Sequence, residues 1–412
     1  MAKCPASNTL YTHDNLYVLS GMNSESVDLI YLDPPFNSKR MYSAPVGSKA
    51  AGASFKDMWS WQDVDEYYLD SLASNFPTLA RYIASVGQIH SKPMMAYVTY
   101  MAQRMIEMYR ILKTTGSIYL HCDPTASHYL KHVLDSVFGK NNFRNEIVWC
   151  YRGGGSPKND FGRRHDIIYR YAKSKELTFN ADAIRVPYQA EGLGRKDDSM
   201  WGRHKGTDKV YKPHPLGKIP EDWWQIDILN ANDPERTGYP TQKPLALLHR
   251  IIKASSNEGD TVLDPFCGCA TTCVAAQQLH RNWIGIDIAK QSVKVLIERL
   301  SDDAGLFKDF TATDIIPKRS DIKEAQPSES IKKRLYKEQD GKCNACGVDM
   351  EIRHLEIDHI IPKARGGGDY YENYQLLCGS CNRIKGDRTM EYLRMKIETR
   401  ERMTKNQIFF GE

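Results

Sequence analysis

The sequence of 412 residues has no apolar run that approaches the roughly 20 residues needed to span a membrane. Residues 1–5 also lack the apolar core of a secretory signal peptide. From these two absences we expect a cytoplasmic protein with no membrane partner. A chain of this length is sufficient for two domains, each with a buried core.

The sequence also lacks internal repeats and a strong excess of one charge, since its formal net charge is only +5. This charge permits a nucleic-acid partner without requiring one. Because we expect no secretion, the ten cysteines do not indicate a disulfide framework. Four of them instead form two C-x2-C pairs near the C-terminus, and in a cytosolic protein this spacing is typical of zinc.

Apolar strands and helices alternate along most of the chain. Residues 27–32 form an apolar run of strand length, and apolar residues recur at helical spacing over 94–112. A further strand is expected at 117–121, and the alternation resumes at Leu245 after a break between about 150 and 238. This order predicts an α/β fold, with a parallel sheet that is covered by helices on both faces.

A turn of small residues, Asp264-Pro265-Phe266-Cys267-Gly268, joins a predicted strand to a predicted helix. Such a turn lets a ligand approach the backbone closely. No Gly-Lys-Ser/Thr follows it, which excludes a P-loop. Asp287 ends the next predicted strand, where a carboxylate can accept hydrogen bonds from ribose hydroxyls. The pattern predicts a cofactor pocket at this edge of the sheet.

The tetrad Asp33-Pro34-Pro35-Phe36 directly follows the strand at 27–32. An exocyclic base amine is a poor nucleophile, because its lone pair is delocalised into the ring. The Asp33 carboxylate and the Pro34 carbonyl can accept hydrogen bonds from its two N–H groups and free that lone pair. Pro35 fixes the turn, and Phe36 offers a face on which an extruded base can stack. The sequence has no Pro-Cys pair of the kind that C5-cytosine enzymes use, so the tetrad predicts direct methyl transfer to nitrogen.

These motifs resemble those of the DNA amino-methyltransferases, which act on N6 of adenine or N4 of cytosine, over most of residues 8–300. The tetrad precedes the turn at 264–268, as in the circularly permuted beta class, and another motif of the family's style stands at 239–244. The resemblance implies a Rossmann-like, S-adenosylmethionine-dependent domain over 1–315, with an inserted target-recognition region at about 150–238. The catalytic residues that it implies are Asp33, Pro34, Pro35 and Phe36. The cofactor contacts that it implies are Asp14, Thr241, Lys243, Asp264, Phe266, Gly268 and Asp287.

Two positions refine this expectation. Ala270 stands where the family usually has a glycine, and it costs little there if the residue is already helical. Asp33 at the head of the tetrad favours adenine, since serine is more usual for N4-cytosine. The expected partner is double-stranded DNA with one base flipped out, in the cytoplasm of a prokaryotic or phage-infected cell. Two alternatives stay open: an N4-cytosine methyltransferase whose C-terminal module only binds DNA, and an RNA adenine methyltransferase.

The spacing of the two cysteine pairs near the C-terminus matches a four-thiolate zinc site. The four residues are Cys343, Cys346, Cys378 and Cys381. Zinc with four sulfur ligands has no open coordination position, so its role is structural, and a small domain needs such a cross-link. The polar residues that precede this region predict a linker at 316–330 and a second domain at 331–412.

The region from Cys343 to Lys385 resembles the HNH nucleases, whose core is a beta-beta-alpha metal finger. The resemblance implies that Asp358 and Asn382 hold a Mg²⁺ or Mn²⁺ ion. It also implies that His359 is the general base that activates water and that Asn373 braces the loop. Such a fusion fits a restriction–modification system. The sequence leaves open whether the nuclease is active, whether methylation blocks or licenses cutting, and whether the chain forms a homodimer.

Overall fold

The computed structural model describes most of the chain. The described residues are 8–36, 40–45, 47–60, 64, 72, 76–153, 155, 157–188, 214–230, 232–302, 310–322, 326–365, 367–390 and 392–397. The N-terminal residues 1–5, the part of the predicted target-recognition region at 189–213, and the end of the predicted second domain at 398–412 lie outside them.

Strands alternate with helices through the first 300 residues. The strands are β1 Thr9–Tyr11, β2 Val27–Leu32, β3 Arg40–Ser43, β4 Ser54–Asp57, β5 Leu112–Cys122, β6 Phe143–Cys150, β7 His165–Ala172, β8 Trp223–Gln225, β9 Thr261–Asp264, β10 Asn282–Ile286, β11 Thr311–Thr313, β12 Leu355–His359 and β13 Tyr374–Cys378. The helices are α1 Asn15–Gly21, α2 Pro77–Ile89, α3 Lys92–Ile111, α4 Ser127–Leu134, α5 Leu245–Ser255, α6 Thr271–Gln278, α7 Gln291–Asp302, α8 Glu329–Glu338 and α9 Gly379–Lys385. Within the described ranges, none of these helices combines the length and apolar content that crossing a membrane requires.

Nine strands form one sheet in the order β11-β1-β10-β9-β2-β5-β7-β6-β8. From β11 to β5 every neighbouring pair is parallel, which confirms the predicted α/β fold. β7 departs from the prediction of a parallel sheet, because it pairs antiparallel with both β5 and β6. The physical reason is the connection between β6 and β7, whose described residues contain no crossover helix, and strands joined in this way form a hairpin.

The connections of the sheet change direction at β2. The chain runs from β2 through α2 and α3 to β5 on one side, whereas β9 and then β10 lie on the other. In the β2–β9 pair, Ile30 lies opposite Leu263. Asp33 and Asp264 therefore lie at adjacent carboxyl ends of two parallel strands, where open α/β sheets bind their ligands.

The alternating side chains of β2 divide the hydrophobic core into two layers. Ile30 and Leu32 belong to the layer that includes α3 and α4, whereas Leu29 and Tyr31 belong to the layer that includes α5 and α6. The apolar residues that recur at helical spacing over 94–112 face the first layer. The sheet is therefore covered on both faces, and its ligand-binding edge is the surface left open.

The segment that follows β11 packs against the turn between α1 and β2. The backbone N–H of Ser24 donates to the Asp321 carboxylate at 2.9 Å. A Cβ on Gly21 would lie 2.0 Å from the Pro317 carbonyl oxygen, so this close approach requires glycine. The first part of the predicted linker, 316–321, is thus attached to the sheet domain.

The C-terminal unit has the predicted beta-beta-alpha order. β12 and β13 pair antiparallel, with Leu355 opposite Cys378, and α9 follows directly. Its small core is centred on Leu376 and Leu377 of β13 and includes Leu335 of α8. A core of this size stabilises a fold only modestly, which is consistent with a need for the cysteine cluster described below.

Candidate functional site

A cavity of about 430 Å³ opens at the carboxyl ends of β2 and β9. The tetrad at 33–36 lines one wall, and the turn at 264–268 lines another. The segment 239–243 and Asp287 complete the enclosure. Two motifs that are far apart in the sequence, one predicted to bind an amine and one predicted to bind a cofactor, therefore share a single cavity.

Asp33 presents one paired and one unpaired carboxylate oxygen. Lys243 Nζ donates to Oδ2, whereas Oδ1 is buried and has no hydrogen-bond partner among the described residues. A buried acceptor without a partner typically costs about 1–3 kcal/mol, so this oxygen favours a donor from a ligand. Pro34 is buried, and Pro35 and Phe36 are half-buried beside it. Lys243, which the family resemblance assigns to the cofactor, contacts the tetrad in this structure.

A buried histidine lies directly behind Asp33. His121 at the end of β5 is 0% exposed, and its Nδ1 lies 3.8 Å from Asp33 Oδ1 and 2.9 Å from the Tyr31 hydroxyl. Its Nε2 lies 3.1 Å from Asp166 Oδ2 on β7. Neither His121 nor Asp166 was predicted from the sequence. One signal was available, because His121, like Asp287, is a polar residue at the carboxyl end of an apolar strand.

Asp264 is buried at the end of β9 and holds the cofactor turn in place. Its Oδ1 accepts a hydrogen bond from the Phe266 N–H at 3.0 Å, and its Oδ2 accepts one from the Thr272 hydroxyl at 2.5 Å. Burial raises the pKa of Asp264 to about 7 despite these hydrogen bonds. The carboxyl is therefore neutral in a large fraction of molecules near neutral pH.

Asp287 shapes the same turn from the neighbouring strand. Its Oδ2 accepts from the Gly268 N–H at 2.8 Å, and its Oδ1 accepts from the Ala289 N–H at 2.7 Å. Burial raises the pKa of Asp287 to about 6, although both hydrogen bonds favour the charged form. Gly268 has a φ of +50°, and a Cβ there would lie 3.0 Å from the Tyr239 ring. Both the positive φ and the close ring favour glycine at this position.

Ala270 begins α6 in the left-handed region, with φ +59° and ψ +31°. The condition under which alanine would cost little at this position, a helical backbone, is therefore not met. A residue with a Cβ costs about 1–2 kcal/mol in this conformation. Arg299 on α7 holds the residues on either side of it, by donating to the Cys269 carbonyl at 2.9 Å and to the Thr271 hydroxyl at 2.8 Å. These buried contacts offset the strain.

Two further predicted cofactor residues lie on the wall of the cavity. Asp14 caps α1 by accepting from the Leu16 N–H at 2.8 Å, and it pairs with Arg104 at 2.9 Å. Thr241 has a φ of +63°, and its carbonyl accepts from Lys243 Nζ at 3.2 Å. This strained backbone turn directs Lys243 towards Asp33.

The four predicted zinc ligands of the C-terminal unit lie together. The sulfur atoms of Cys343, Cys346, Cys378 and Cys381 are all within 4.8 Å of one another. Four thiolates at about 2.3 Å from a central ion satisfy this separation. Backbone N–H groups at the start of α9 and before it point at two of these sulfurs, which favours the thiolate form. The donor set fits a closed, structural zinc ion.

His359 ends β12 and pairs with a carboxylate that was not predicted. Its Nε2 lies 2.8 Å from Asp369 Oδ1, and its ring packs against Tyr374 with centroids 4.9 Å apart. The Lys363 ammonium at 2.7 Å and the His359 ring hold the pKa of Asp369 well below its usual range. With Asp369 ionised, Nε2 carries the ring proton, so Nδ1 is the basic atom of His359.

Asp358 and Asn382 have different partners. Asp358 accepts from Gln375 at 2.8 Å and pairs with the buried ammonium of Lys385 at 3.0 Å. Asn382 donates to Glu356 at 2.6 Å. Lys385 balances the Asp358 charge in this structure. The assignment of Asp358 and Asn382 to a Mg²⁺ or Mn²⁺ ion stays a prediction from the resemblance.

Asn373 braces the loop between β12 and β13. Its Oδ1 accepts from the Ile361 N–H at 2.8 Å, and its Nδ2 donates to the carbonyls of Ile361 at 3.1 Å and Gly368 at 3.0 Å. A Cβ on Gly367 would lie 1.7 Å from the Ile361 carbonyl oxygen, so the loop closes only with glycine there. The loop that carries Asp369 is thereby held close to His359.

Two protein families match the chain. The sequence model of the DNA methylases matches residues 27–298, and that of the HNH endonucleases matches residues 343–388. The first match includes the tetrad, the segment at 239–243 and the cofactor turn. The second includes the four cysteines and the β12–β13 hairpin.

Individual relatives agree with the first match. The chain is 34% identical over 224 residues to the type II methyltransferase M.HpaI of Haemophilus parainfluenzae, an alignment of 54% of this chain and 64% of that protein. It is 29% identical over 296 residues to the DNA adenine methyltransferase YhdJ of Escherichia coli (strain K12), covering 71% and 83%. The chain thus spans less than two thirds of M.HpaI. Among solved structures, the PvuII DNA methyltransferase (cytosine-N4-specific) aligns with 16% identity and a TM-score of 0.45, over 75% of this chain and 96% of that chain.

The raised pKa of Asp264 makes the stability of the ligand-free protein depend on pH. Its folded pKa of about 7 lies above the ordinary carboxyl value, so the folded state holds a proton that the unfolded state has lost. This contribution to the free energy of unfolding is present below about pH 4 and is lost as pH rises to about 7. We expect the free energy of unfolding of Asp264→Asn to fall much less than that of the wild type across this pH range. Urea unfolding at the two ends of the pH range measures this difference. Asp160→Asn, at an exposed acid, is the control, and equal pH dependence in all three proteins would contradict the assignment.

Proposed function

Since the chain belongs to the DNA methylase family of N6 and N4 amino-methyltransferases, we propose that it methylates an exocyclic amine of a base in double-stranded DNA. The methyl donor is S-adenosylmethionine, which the cavity at β2 and β9 accommodates. The C-terminal HNH unit adds a zinc-stabilised DNA endonuclease. The whole chain is then a fused modification and cleavage enzyme, as in a restriction–modification system.

The unpaired Oδ1 of Asp33, in the same cavity as the cofactor turn, is the observation that carries this proposal. A base amine that enters the cavity donates one N–H to Oδ1 and the other to the carbonyl of Pro34. Both bonds draw the nitrogen towards tetrahedral geometry and free its lone pair. Lys243 fixes the orientation of the carboxylate by holding Oδ2. No protein nucleophile takes part.

The wall of the cavity suits a cationic cofactor with ribose hydroxyls. Bound S-adenosylmethionine supplies an electrophilic methyl group on a sulfonium centre. Each Asp287 oxygen accepts one backbone N–H and retains a second lone pair for a ribose hydroxyl. The proposed cofactor contacts are Asp14, Thr241, Asp264, Phe266, Gly268 and Asp287. We assign Lys243 to the catalytic carboxylate instead of the cofactor.

Adenine is the proposed base. Asp33 at the head of the tetrad favours it, and the aligned relative from Escherichia coli is named a DNA adenine methyltransferase. Target recognition is assigned to about 150–238, of which the loop between β6 and β7 is one described part. This loop begins where Cys150 pairs with His165, at the same edge of the sheet as the tetrad. Phe161 at 93% exposure and Arg163 lie on it, and such residues suit contact with bases and phosphates.

In the C-terminal unit, His359 is the proposed general base for phosphodiester cleavage. Asp369 holds Nε2 and leaves Nδ1 to take a proton from water. The zinc ion is bound by four thiolates and holds the hairpin and α9 together. A requirement for Mg²⁺ or Mn²⁺ stays a prediction from the family resemblance, and no step is assigned to that ion. The domain limits of 1–315 and 331–412 are part of the same proposal.

The proposal for methyl transfer is tested at Asp33. Asp33→Asn keeps the shape of the side chain but removes the charge that the amine and Lys243 require. We expect methyl transfer to DNA to fall about 100-fold or more, while calorimetry shows nearly unchanged S-adenosylmethionine binding. Asp135→Asn removes another lysine-paired carboxylate and should leave the rate unchanged. Turnover of Asp33→Asn at the wild-type rate would refute the role of Asp33.

The zinc assignment is tested at Cys378. Cys378→Ser should reduce the zinc content from one ion per chain to none and unfold the C-terminal unit, because a core this small depends on the cross-link. Methyl transfer should survive. Cys150→Ser, at a thiol outside the cluster, is the matched control for metal analysis. Retention of zinc by Cys378→Ser, or equal loss of both activities, would be inconsistent with a separate zinc-dependent unit.

The nuclease is tested at His359 by relaxation of supercoiled plasmid with added Mg²⁺ or Mn²⁺ and with chelator. His359→Ala should abolish nicking and leave zinc content and methyl transfer intact. Nicking by the wild type should also weaken in acid, where a protonated imidazole cannot accept a proton. His354→Ala changes an exposed histidine of the same unit and should nick normally. If the wild type nicks neither methylated nor unmethylated DNA with either ion, the unit is a DNA-binding module instead.

A further inference from the structure

Four strands contribute side chains to a buried polar group behind Asp33. His121 of β5 lies at the centre, with Tyr31 of β2 at 2.9 Å and Asp166 of β7 at 3.1 Å. Trp149 of β6 packs edge-on against the His121 ring, with centroids 5.3 Å apart. The ring has no exposed surface. Burying a polar ring in this way is costly unless its hydrogen bonds are satisfied, so the arrangement is specific.

The partners of His121 determine which ring nitrogen carries the proton. Burial opposes the charged form of Asp166, but the hydrogen bond from His121 and the charge of Lys243 hold its pKa below the ordinary value. An ionised Asp166 can only accept, so Nε2 is the protonated nitrogen. Burial raises the pKa of Tyr31 well above its usual range, so its hydroxyl keeps its proton and donates to Nδ1. Nδ1, which faces Asp33, is thus the basic atom.

Methylation of an amine generates a proton at this place. The nitrogen lone pair forms the new C–N bond, the C–S bond of the sulfonium donor breaks, and its electron pair stays on sulfur. The nitrogen is then positively charged and must lose one of its two protons. Asp33 Oδ1 is the first acceptor, and His121 Nδ1 at 3.8 Å is the nearest basic group behind it. At rest Nδ1 accepts from the Tyr31 hydroxyl, so uptake of this proton requires that hydroxyl to turn its hydrogen away and then to accept from Nδ1–H.

We propose that His121, held by Asp166, is a positioning residue for Asp33 and that it receives, through Asp33, the proton released by the methylated amine. Asp166 then stabilises the imidazolium, as a buried carboxylate does beside a histidine that acts as a base. This inference rests on the proposed methyltransferase function.

The charges around His121 are balanced for this role. Asp33 and Asp166 face it from β2 and β7, Tyr31 faces it from β2, and Lys243 holds the far oxygen of Asp33. Tyr151 at the end of β6 lies 3.4 Å from the other oxygen of Asp166. Two carboxylates and one lysine leave a net charge of −1, which a protonated His121 neutralises. A leucine or phenylalanine at this position would fill the same space but could not neutralise that charge.

The experiment compares wild type, His121→Gln and Asp166→Asn in single-turnover methyl transfer across a pH series. Glutamine retains an N–H for Asp166 but cannot take up a proton. His128→Gln, at an exposed histidine on the adjacent helix α4, is the matched control. We expect the wild-type rate to fall in acid, and His121→Gln to be about 10- to 100-fold slower at its best pH without that fall. Asp166→Asn should move the midpoint of the wild-type profile to lower pH, with KM for DNA and cofactor nearly unchanged.

A second measurement does not depend on activity. In ¹⁵N-histidine spectra of the ligand-free protein, the resonance missing from His121→Gln should report a proton on Nε2, and Asp166→Asn should perturb it. A proton on Nδ1 would overturn the proposal. So would a His121→Gln variant with the wild-type rate and pH profile, or a His121→Gln variant that is slower but keeps the wild-type pH profile. If the spectra agree but the wild type methylates no DNA, the proposed function fails and this inference fails with it. If the wild type methylates and His121→Gln matches it, only this inference fails.

Discussion

The parallel pairing of β2 with β9 on one side and β5 on the other is the constraint on which the catalytic cavity depends. Register decides which residues follow each strand at the same edge, and here it places Asp33 between Asp264 and His121. Because β2 is buried on both faces, a slip by one residue would turn each of its side chains into the opposite layer, whose packing it does not fit. The hydrophobic core therefore fixes the geometry of the polar site, although it contributes no chemistry.

The second organising feature is an excess of negative charge in a confined space. Asp33, Asp264 and Asp287 line one cavity, and Lys243 is the ammonium paired with this group. Burial raises the pKa of Asp264 to about 7 and that of Asp287 to about 6, so the enclosed site disfavours the charged form of both carboxyls. A positively charged ligand offsets this cost. A sulfonium donor carries such a charge and its thioether product does not, so the same carboxylates favour the donor over the product.

The sequence was sufficient to predict features that depend on local pattern, and insufficient for features that depend on register. The apolar runs located β2 and β9, and the motifs at their ends identified Asp33 and Asp264. Contacts between residues of different strands could not be predicted from the sequence. The antiparallel β7 contributes Asp166 to one site, and the loop closed by Gly367 contributes Asp369 to the other. Asp358 pairs with Lys385, on a helix that follows the next strand, and this contact was also not predicted. The assignment of Asp358 to a metal ion stays a prediction. Partners contributed by later elements are set by tertiary packing.

The contact between Asp321 and the turn before β2 also limits how far the C-terminal unit can lie from the sheet domain. Only residues 322–328 separate this anchor from the start of α8. Seven residues span at most about 25 Å even when fully extended, which is roughly the rise of seven base pairs at about 3.4 Å each. Under the function proposed above, this short connection keeps the nuclease unit within a few turns of duplex from the methylating cavity, even with the width of the C-terminal unit added. The two proposed activities would then share one short stretch of DNA.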